Sequence, residues 1–426
     1  MPEGKPRYAA LLKYSLLTIF WTLPLALYRR LKYRRRPATP AADGSFGIVC
    51  ISHVPWSSAW QRNHHTMYEL SKRHKVVYCH PVVVCGDRLD FISADGRRRR
   101  DGHGNPDLLV IEPLIIRGER VLPFIRAING IILIAALKEA MARMNIGPSD
   151  LWCYSPLNEY LAGSLDELLT VYDIQDEYAG FLGTPEHVRE TERSLLGKAD
   201  LVFTGTYALY EDKKQYNRNM HFVPCGVDAA HFGKARIANR SLPEDIERVG
   251  HPIVGYFGRV CGRMDTELLA SMADAHPEWS IVLIGEVIEH EFRLEKRPNV
   301  VLLGQKSYAE LPQYVQAFDV CMIPFRLNEL TLKVNPTKLL EYMAAGKPVV
   351  STAIPDMVRF YGNVIGIARN KEDFIAAVES TLEENRAGAS AAVIQGMAIA
   401  EGNDWTATIA GMESIIRGDI ERKHAA

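Results

Sequence analysis

The sequence predicts an α/β protein of two doubly wound, Rossmann-like domains, and three observations carry that expectation. Short apolar runs alternate with helical stretches along nearly the whole chain from Phe46, the pattern of parallel strands covered by helices on both faces. The runs fall into two series, parted by a looser polar stretch around residues 229–250. The length of 426 residues suits two or three domains at roughly 100–200 residues each.

The chain opens on an apolar segment, Ala9–Tyr28, whose only charge is Lys13; Arg29, Arg30, Lys32, Arg34, Arg35 and Arg36 come directly after it. Twenty helical residues span ~30 Å, the hydrocarbon thickness of a bilayer. The basic run favours a cytoplasmic location for the rest of the chain and attracts anionic headgroups. A spanning helix fits, and so does a helix lying in the interface, anchored by Trp21 and the arginines. A cleaved signal peptide would need a clear small-residue cleavage site, and a helix packed on the domain is the remaining alternative. Pro37–Ser45 reads as a linker. The expected organisation is a membrane-associated segment over 1–45, a first domain over 46–228, and a second over 229–426 that includes closing helices.

In the first domain the expected strands are Phe46–Ile51, Val76–Pro81, Leu108–Pro113, Leu151–Pro156, Val171–Ile174, Leu201–Thr206 and His221–Gly226. In the second they are Pro252–Gly258, Ser280–Glu286, Val300–Gly304, Val320–Phe325, Pro348–Thr352 and Val364–Ala368. Such sheets bind ligands at the carboxyl ends of their strands, so functional residues are expected just after each run. A net charge of -1 gives no electrostatic footprint for nucleic acid. Seven cysteines without CxxC spacing read as buried, reduced thiols.

The stretch Asn335-Pro336-Thr337-Lys338-Leu339-Leu340-Glu341-Tyr342-Met343-Ala344-Ala345-Gly346 carries the most chemistry. Asn335 suits an N-cap, Pro336 a first helical position, and Gly346 a C-terminal stop. At ~100° per residue Leu339, Leu340, Met343 and Ala344 share an apolar face, and Thr337, Lys338, Glu341 and Ala345 the opposite one. A helix start with free N–H groups and a lysine suits phosphate, and a carboxylate one turn deeper suits ribose hydroxyls. An ordinary surface pair between Lys338 and Glu341 is the alternative.

This string, continuing to Thr352, resembles the carboxyl-domain signature of GT-B glycosyltransferases, particularly family-4-like bacterial enzymes. Ile48–Pro81, VYDIQDEYAGF, ADLVFTGT, FVPCGVDAAHF and GYFGRV fall in order where enzymes of cell-envelope polysaccharide synthesis have similar strings. The resemblance implies a GT-B fold with two domains facing a central cleft. It implies that Glu341 holds the donor ribose and that Asn335, Pro336, Thr337 and Lys338 hold the diphosphate. One position departs: many members carry a second glutamate, contacting the transferred sugar, where this chain has Lys333. That lysine can meet a sugar carboxylate or be solvated.

Several further residues complete the expected cleft. After Gly258, Arg259 is the first choice to neutralise the diphosphate and Arg263 the second. In the loop after Ile51, Trp56 and Trp60 can stack on sugar or base, Arg62 can bind acceptor, and His64 or His65 can serve as a base. Asp176, then Asp173, is the choice for deprotonating the acceptor or countering anomeric charge. Each also has a capping or packing alternative. The apolar stretch Leu122–Met144 is either a core helix or a basic, hydrophobic acceptor edge, and Arg97–Arg100 is a second stretch that can touch lipid.

The chain has no DxD triplet and no His/Cys metal spacing, so no obligatory metal is expected and the nucleotide sugar is the co-substrate. The expected activity is transfer of a sugar from a UDP- or GDP-linked donor to a membrane-associated saccharide or lipid-linked acceptor. The expected setting is the cytoplasmic face of the plasma membrane, in envelope or exopolysaccharide synthesis. A catalytically silent scaffold and a nucleotide-sugar epimerase are the competing readings.

Overall fold

The computed structural model describes residues 45–58, 60–80, 105–115, 123–180, 187–237, 241–288, 296–386 and 390–425, with isolated positions and two short strands besides. The apolar and basic segment over 9–36 lies outside the described residues, isolated positions aside, as do Arg97 and Arg98. Among the described residues no helix is long and apolar enough to cross a membrane.

The first domain is a sheet of strands β1 (Gly47–Ile51), β2 (Val76–Cys79), β3 (Leu108–Ile111), β4 (Ser149–Cys153), β5 (Thr170–Ile174), β6 (Leu201–Thr204) and β7 (Met220–Phe222). Their spatial order is β3-β2-β1-β4-β5-β6-β7, all parallel, with Arg99–Arg100 pairing antiparallel on the β3 edge. Alternation along each strand feeds both faces. Helix α1 spans Arg62–Ser71, α2 Pro123–Arg143, α3 Val188–Lys198 and α4 Tyr207–Lys213. Val49, Ile51, Val77, Cys79, Leu151 and Tyr172 pack under Leu133, Leu137 and Met141 of α2, while Ile48, Cys50, Tyr78, Trp152 and Phe203 pack on the other side. This is why the strands read as unbroken apolar runs. It also makes α2 a core helix through most of its length.

The second domain repeats the plan with β8 (Ile253–Phe257), β9 (Ser280–Ile284), β10 (Val300–Gly304), β11 (Val320–Ile323), β12 (Val349–Thr352) and β13 (Gly366–Ala368), ordered β10-β9-β8-β11-β12-β13. In both sheets the strand order therefore reverses beside the first strand, at β1/β4 and at β8/β11, the positions where such folds open a crevice.

The helices after β13 divide between the two domains, a departure from the expectation that all of them close the second. The last helix, Trp405–His424, presents Trp405, Ile409, Met412, Ile416 and Ile420 at helical spacing to the first sheet, in one cluster with Ile48, Tyr78, Met67 and Leu70. Fully burying side chains of this size stabilises by about 1.5–3 kcal/mol each, which ties the C-terminus to the first domain. The chain thus crosses twice, and the crossings touch: the Val227 N–H donates to the Asn403 carbonyl at 2.9 Å. A Cβ on Gly226 would meet the Trp405 backbone at 2.9 Å, so glycine is what lets the crossings lie side by side.

Candidate active site

In the second domain β8, β9 and β10 end at Gly258, Gly285 and Gly304, with φ of 137°, 146° and 69°. These left-handed turns suit glycine and let the loops pack closely: a Cβ on Gly285 would sit 1.9 Å from the Gly258 carbonyl oxygen. A Cβ on Gly258 would sit 2.0 Å from Cε of Lys338. The missing side chain is therefore what allows Lys338 to lie across the end of β8, over the ring of Tyr256 at 5.8 Å.

Lys338 opens a helix over Lys338–Ala344, so the helix starts later than Asn335 and Pro336 suggest, with Thr337 at its N-cap. Leu339 accordingly donates to the Pro336 carbonyl in a tight first turn, at 3.1 Å. The other end matches expectation. Gly346 adopts φ 70°, its N–H donates to Met343 at 2.9 Å, and Lys347 donates to Tyr342 at 3.0 Å, the paired closure of a Schellman motif. Leu339, Leu340, Tyr342, Met343 and Ala344 are buried, and Ala345, assigned to the polar face, is buried as well. Thr337, Lys338 and Glu341 retain partial access. Burial raises the Glu341 carboxyl to about 7, with Lys338 pulling the other way. Burial, with Arg263 adding to it, lowers the Lys338 ammonium.

Arg263 and Arg259 take unlike positions. Arg259 is exposed and pairs with Glu286 at 3.4 Å. Arg263 turns inward, its carbonyl held by the Arg326 N–H at 2.8 Å. It lies close enough to Asp176 of the first domain for each to favour the other's charge. The second choice in sequence is the one the fold brings within charge range of the first domain. Burial raises the Asp176 carboxyl, and Arg263 opposes that. Asp176, Arg263, Lys338 and Glu341 thus form one run of charges from the first domain's β5 loop into the second domain. Its two cations are near enough for Arg263 to disfavour the Lys338 charge, a cost that a bound polyanion would relieve.

Six other candidates are engaged in pairing or packing within the first domain. Asp173 is fully buried and takes the Arg62 Nε at 3.0 and 3.1 Å, while Arg62 reaches on to the Val223 carbonyl. Neither side chain has access to a substrate. His64 closes the start of α1: its Nδ1 accepts from the Gln61 N–H at 3.1 Å and its Nε2 bonds the Pro55 carbonyl at 3.0 Å. Burial lowers its pKa to about 4, and both ring nitrogens are occupied. His65 stacks on Trp405 at 4.6 Å and 8°, with its pKa lowered to about 3 by burial. Trp56 is a core residue whose backbone N–H donates to His80 Nε2 at 2.9 Å. Trp60, partly exposed, packs between His64, His65 and Tyr68. A stripe of aromatic and polar residues before a helix reads alike whether it binds ligand or pins a loop.

Lys333, expected as a sugar contact or a solvated lysine, is taken up in ion pairs with the first domain. Its ammonium donates to Glu177 at 2.8 Å and to Asp212 at 2.9 Å, both in the first domain.

Two features were not singled out in sequence. His53, at the β1 end beside the first switch point, lies 6.0 Å from the rings of Tyr154 and Tyr178. Its buried Nδ1 has no hydrogen-bond partner, and burial lowers its pKa to about 4, leaving a neutral imidazole. Tyr308 stacks on His231 at 4.3 Å and 10° and lies near enough to Glu341 to feel its charge. Only the first had a legible cue, a histidine directly after a strand.

Residues 251–384 match the family model described as Glycosyl transferases group 1. The chain is 28% identical over 214 residues to a Bacillus subtilis (strain 168) protein provisionally named as teichuronic acid biosynthesis glycosyltransferase TuaH, over 46% of this chain and 52% of that one. It thus spans about half the length of that curated relative. Sucrose-phosphate synthase from Thermosynechococcus elongatus has the same fold at TM-score 0.65 and 18% identity, over 88% of this chain and 98% of that one. So does Anabaena Alr3699/HepE, solved with UDP and glucose, at TM-score 0.65 and 13% identity over 88% and 100%. A third likeness is the UDP-forming alpha,alpha-trehalose-phosphate synthase from Burkholderia xenovorans, solved with glucose-6-phosphate, at TM-score 0.64 and 12% identity over 87% and 100%.

Proposed function

We propose that this chain, of GT-B fold and with residues 251–384 matching the group 1 glycosyl transferases, moves a sugar from a nucleoside diphosphate onto a hydroxyl acceptor in the cleft between its domains. The observation that carries the reading is Lys338, laid across the end of β8 where Gly258 leaves room for it, with Arg263 within range of its charge and of Asp176. A donor diphosphate set between them neutralises both, and its charge as leaving group is met by fixed cations. Glu341 accepts from the ribose hydroxyls. UDP is the favoured nucleotide, since HepE was solved with it.

The first domain presents the acceptor. Asp176, raised by burial and within the field of Arg263, takes the proton of the attacking hydroxyl as the bond from the anomeric carbon to the diphosphate breaks. The acceptor is a saccharide or lipid-linked saccharide of envelope synthesis, and the enzyme works at the cytoplasmic face of the membrane. The apolar and basic sequence over 9–36 supports the location, and the name of the Bacillus relative supports the pathway class.

Calorimetric titration of UDP, GDP, ADP and TDP, with chelator present, tests the donor site. One nucleotide, expected to be UDP, binds the wild type, and Glu341→Ala weakens it by roughly 10- to 100-fold, the worth of charge-assisted hydrogen bonds. A folded wild-type protein that binds none of them refutes the donor assignment. Tight binding with no transfer to any acceptor would favour a silent scaffold.

A further inference from the structure

Helix α4 belongs to the first domain but is held by the second at both ends. At its start the Asp356 carboxylate, buried in the second domain, accepts from the N–H groups of Tyr207 and Ala208 at 2.8 and 3.2 Å. Thr206 of the first domain caps the next donor, Leu209, at 3.1 Å. Arg359 lies over the Tyr207 ring at 4.0 Å. At the other end Lys333 donates to Asp212 at 2.9 Å. An anion at a helix start and a cation at its end both complement the helix dipole.

Lys333 does a second thing. Its other bond, at 2.8 Å, goes to Glu177, whose side chain is 1% exposed and which sits next to Asp176 in the chain. Lys213, on α4, reaches the same carboxylate at 3.3 Å and Glu192 at 2.8 Å. The group therefore holds two lysines against three carboxylates, Glu177, Glu192 and Asp212. Without Lys333, Lys213 would be the one cation within 4 Å of the three among the described residues, and the buried Glu177 would keep only the longer of its two partners. The lysine from the second domain is what balances a carboxylate buried in the first.

We propose that Lys333 is a positioning residue: it clasps Glu177 and Asp212 across the domain boundary and, with Asp356, grips α4 at both ends, so that Asp176 is held opposite Arg263. The clasp depends on contacts of the free protein; only the consequence for Asp176 rests on the transferase reading. It also accounts for a lysine where related enzymes use a glutamate toward the sugar, since here the position serves the domain junction.

Hydrogen exchange of the full chain, followed by mass spectrometry, tests this in Lys333→Ala, Lys333→Arg and Asp212→Asn. In Lys333→Ala, exchange over Gln175–Tyr178 and over α4 accelerates by ~10-fold or more, the scale of losing charged hydrogen bonds, while the Lys338–Ala344 helix keeps wild-type protection. Lys333→Arg restores most of the protection, and Asp212→Asn, which loses the more exposed half of the grip, loosens α4 alone and by less. UDP affinity measured beside it stays within ~2-fold of wild type, as the nucleotide contacts lie elsewhere. Unchanged exchange at both segments in Lys333→Ala overturns the clasp, as does acceleration spread evenly over the second domain. A selective fall in UDP affinity with unchanged exchange makes Lys333 a donor contact instead. If wild type binds none of the four nucleoside diphosphates, the donor assignment fails while the exchange comparison still decides the clasp.

Discussion

Asp173→Asn leaves the Arg62 guanidinium in the core of the first domain with no counter-charge. The two side chains are 1% and 0% exposed, so solvent offers Arg62 no substitute. Nε has both carboxylate oxygens within 3.1 Å, and the remaining donors already point to Val223 and Met412. Breaking a buried pair from one side costs about 3–5 kcal/mol. For a domain of this size each kcal/mol moves Tm by about 2–4 °C, so a fall of roughly 6–20 °C is expected. Thermal denaturation monitored by circular dichroism measures it, with Asp176→Asn as the partner experiment, expected within about 2 °C of wild type because Asp176 is only half-buried and closes no ion pair as Asp173 does. A double change of Arg62→Met with Asp173→Leu removes both charges and should recover much of the loss. If Asp173→Asn melts with the wild type yet abolishes transfer, Asp173 belongs to the chemistry and the architectural assignment is wrong.

The charges give two further outcomes. Arg263→Ala should weaken nucleoside diphosphate binding by ~10-fold or more, whereas Arg259→Ala, exposed and paired with Glu286, should stay within ~2-fold; calorimetry on both variants compares them, and equal losses would place both arginines at the diphosphate. Glu413 gathers Arg417, His74 and Arg73. Burial works against its charge, yet these partners hold the carboxyl at about 2, below its ordinary 4.5. A depressed carboxyl contributes stability that is fully present above pH 4.5 and is lost as pH falls toward 2. Glu413→Gln should therefore lower Tm at pH 7 and flatten its acid dependence over that window; parallel curves for variant and wild type would exclude the coupling.

The order of elements was legible in the amino acids alone. Strands buried on both faces must be apolar throughout, so thirteen runs announce the thirteen parallel strands of the two main sheets, and Gly346 announces a helix stop because few other residues adopt its left-handed turn. The helix carrying Lys338 and Glu341 was legible too, since its two faces are written at helical spacing within ten residues. What the sequence by itself determined is local: period, turn chemistry and which strand ends carry polar groups. Tertiary structure decided which of those groups meet. Arg62 and Asp173 stand 111 positions apart and carry no mutual mark, yet together they are a core pair rather than two site residues. Arg259 and Arg263 look alike in a loop, and only the cross-cleft neighbour Asp176 separates them. Lys333 reads as a sugar contact or a solvated lysine until Glu177 and Asp212 are placed beside it. The last helix shows the same division: its apolar stripe foretells burial, but the partner sheet is fixed by a chain crossing that no local pattern encodes. Long-range pairing depends on three-dimensional proximity and on the cost of leaving a buried charge alone, and neither is a property of neighbouring residues.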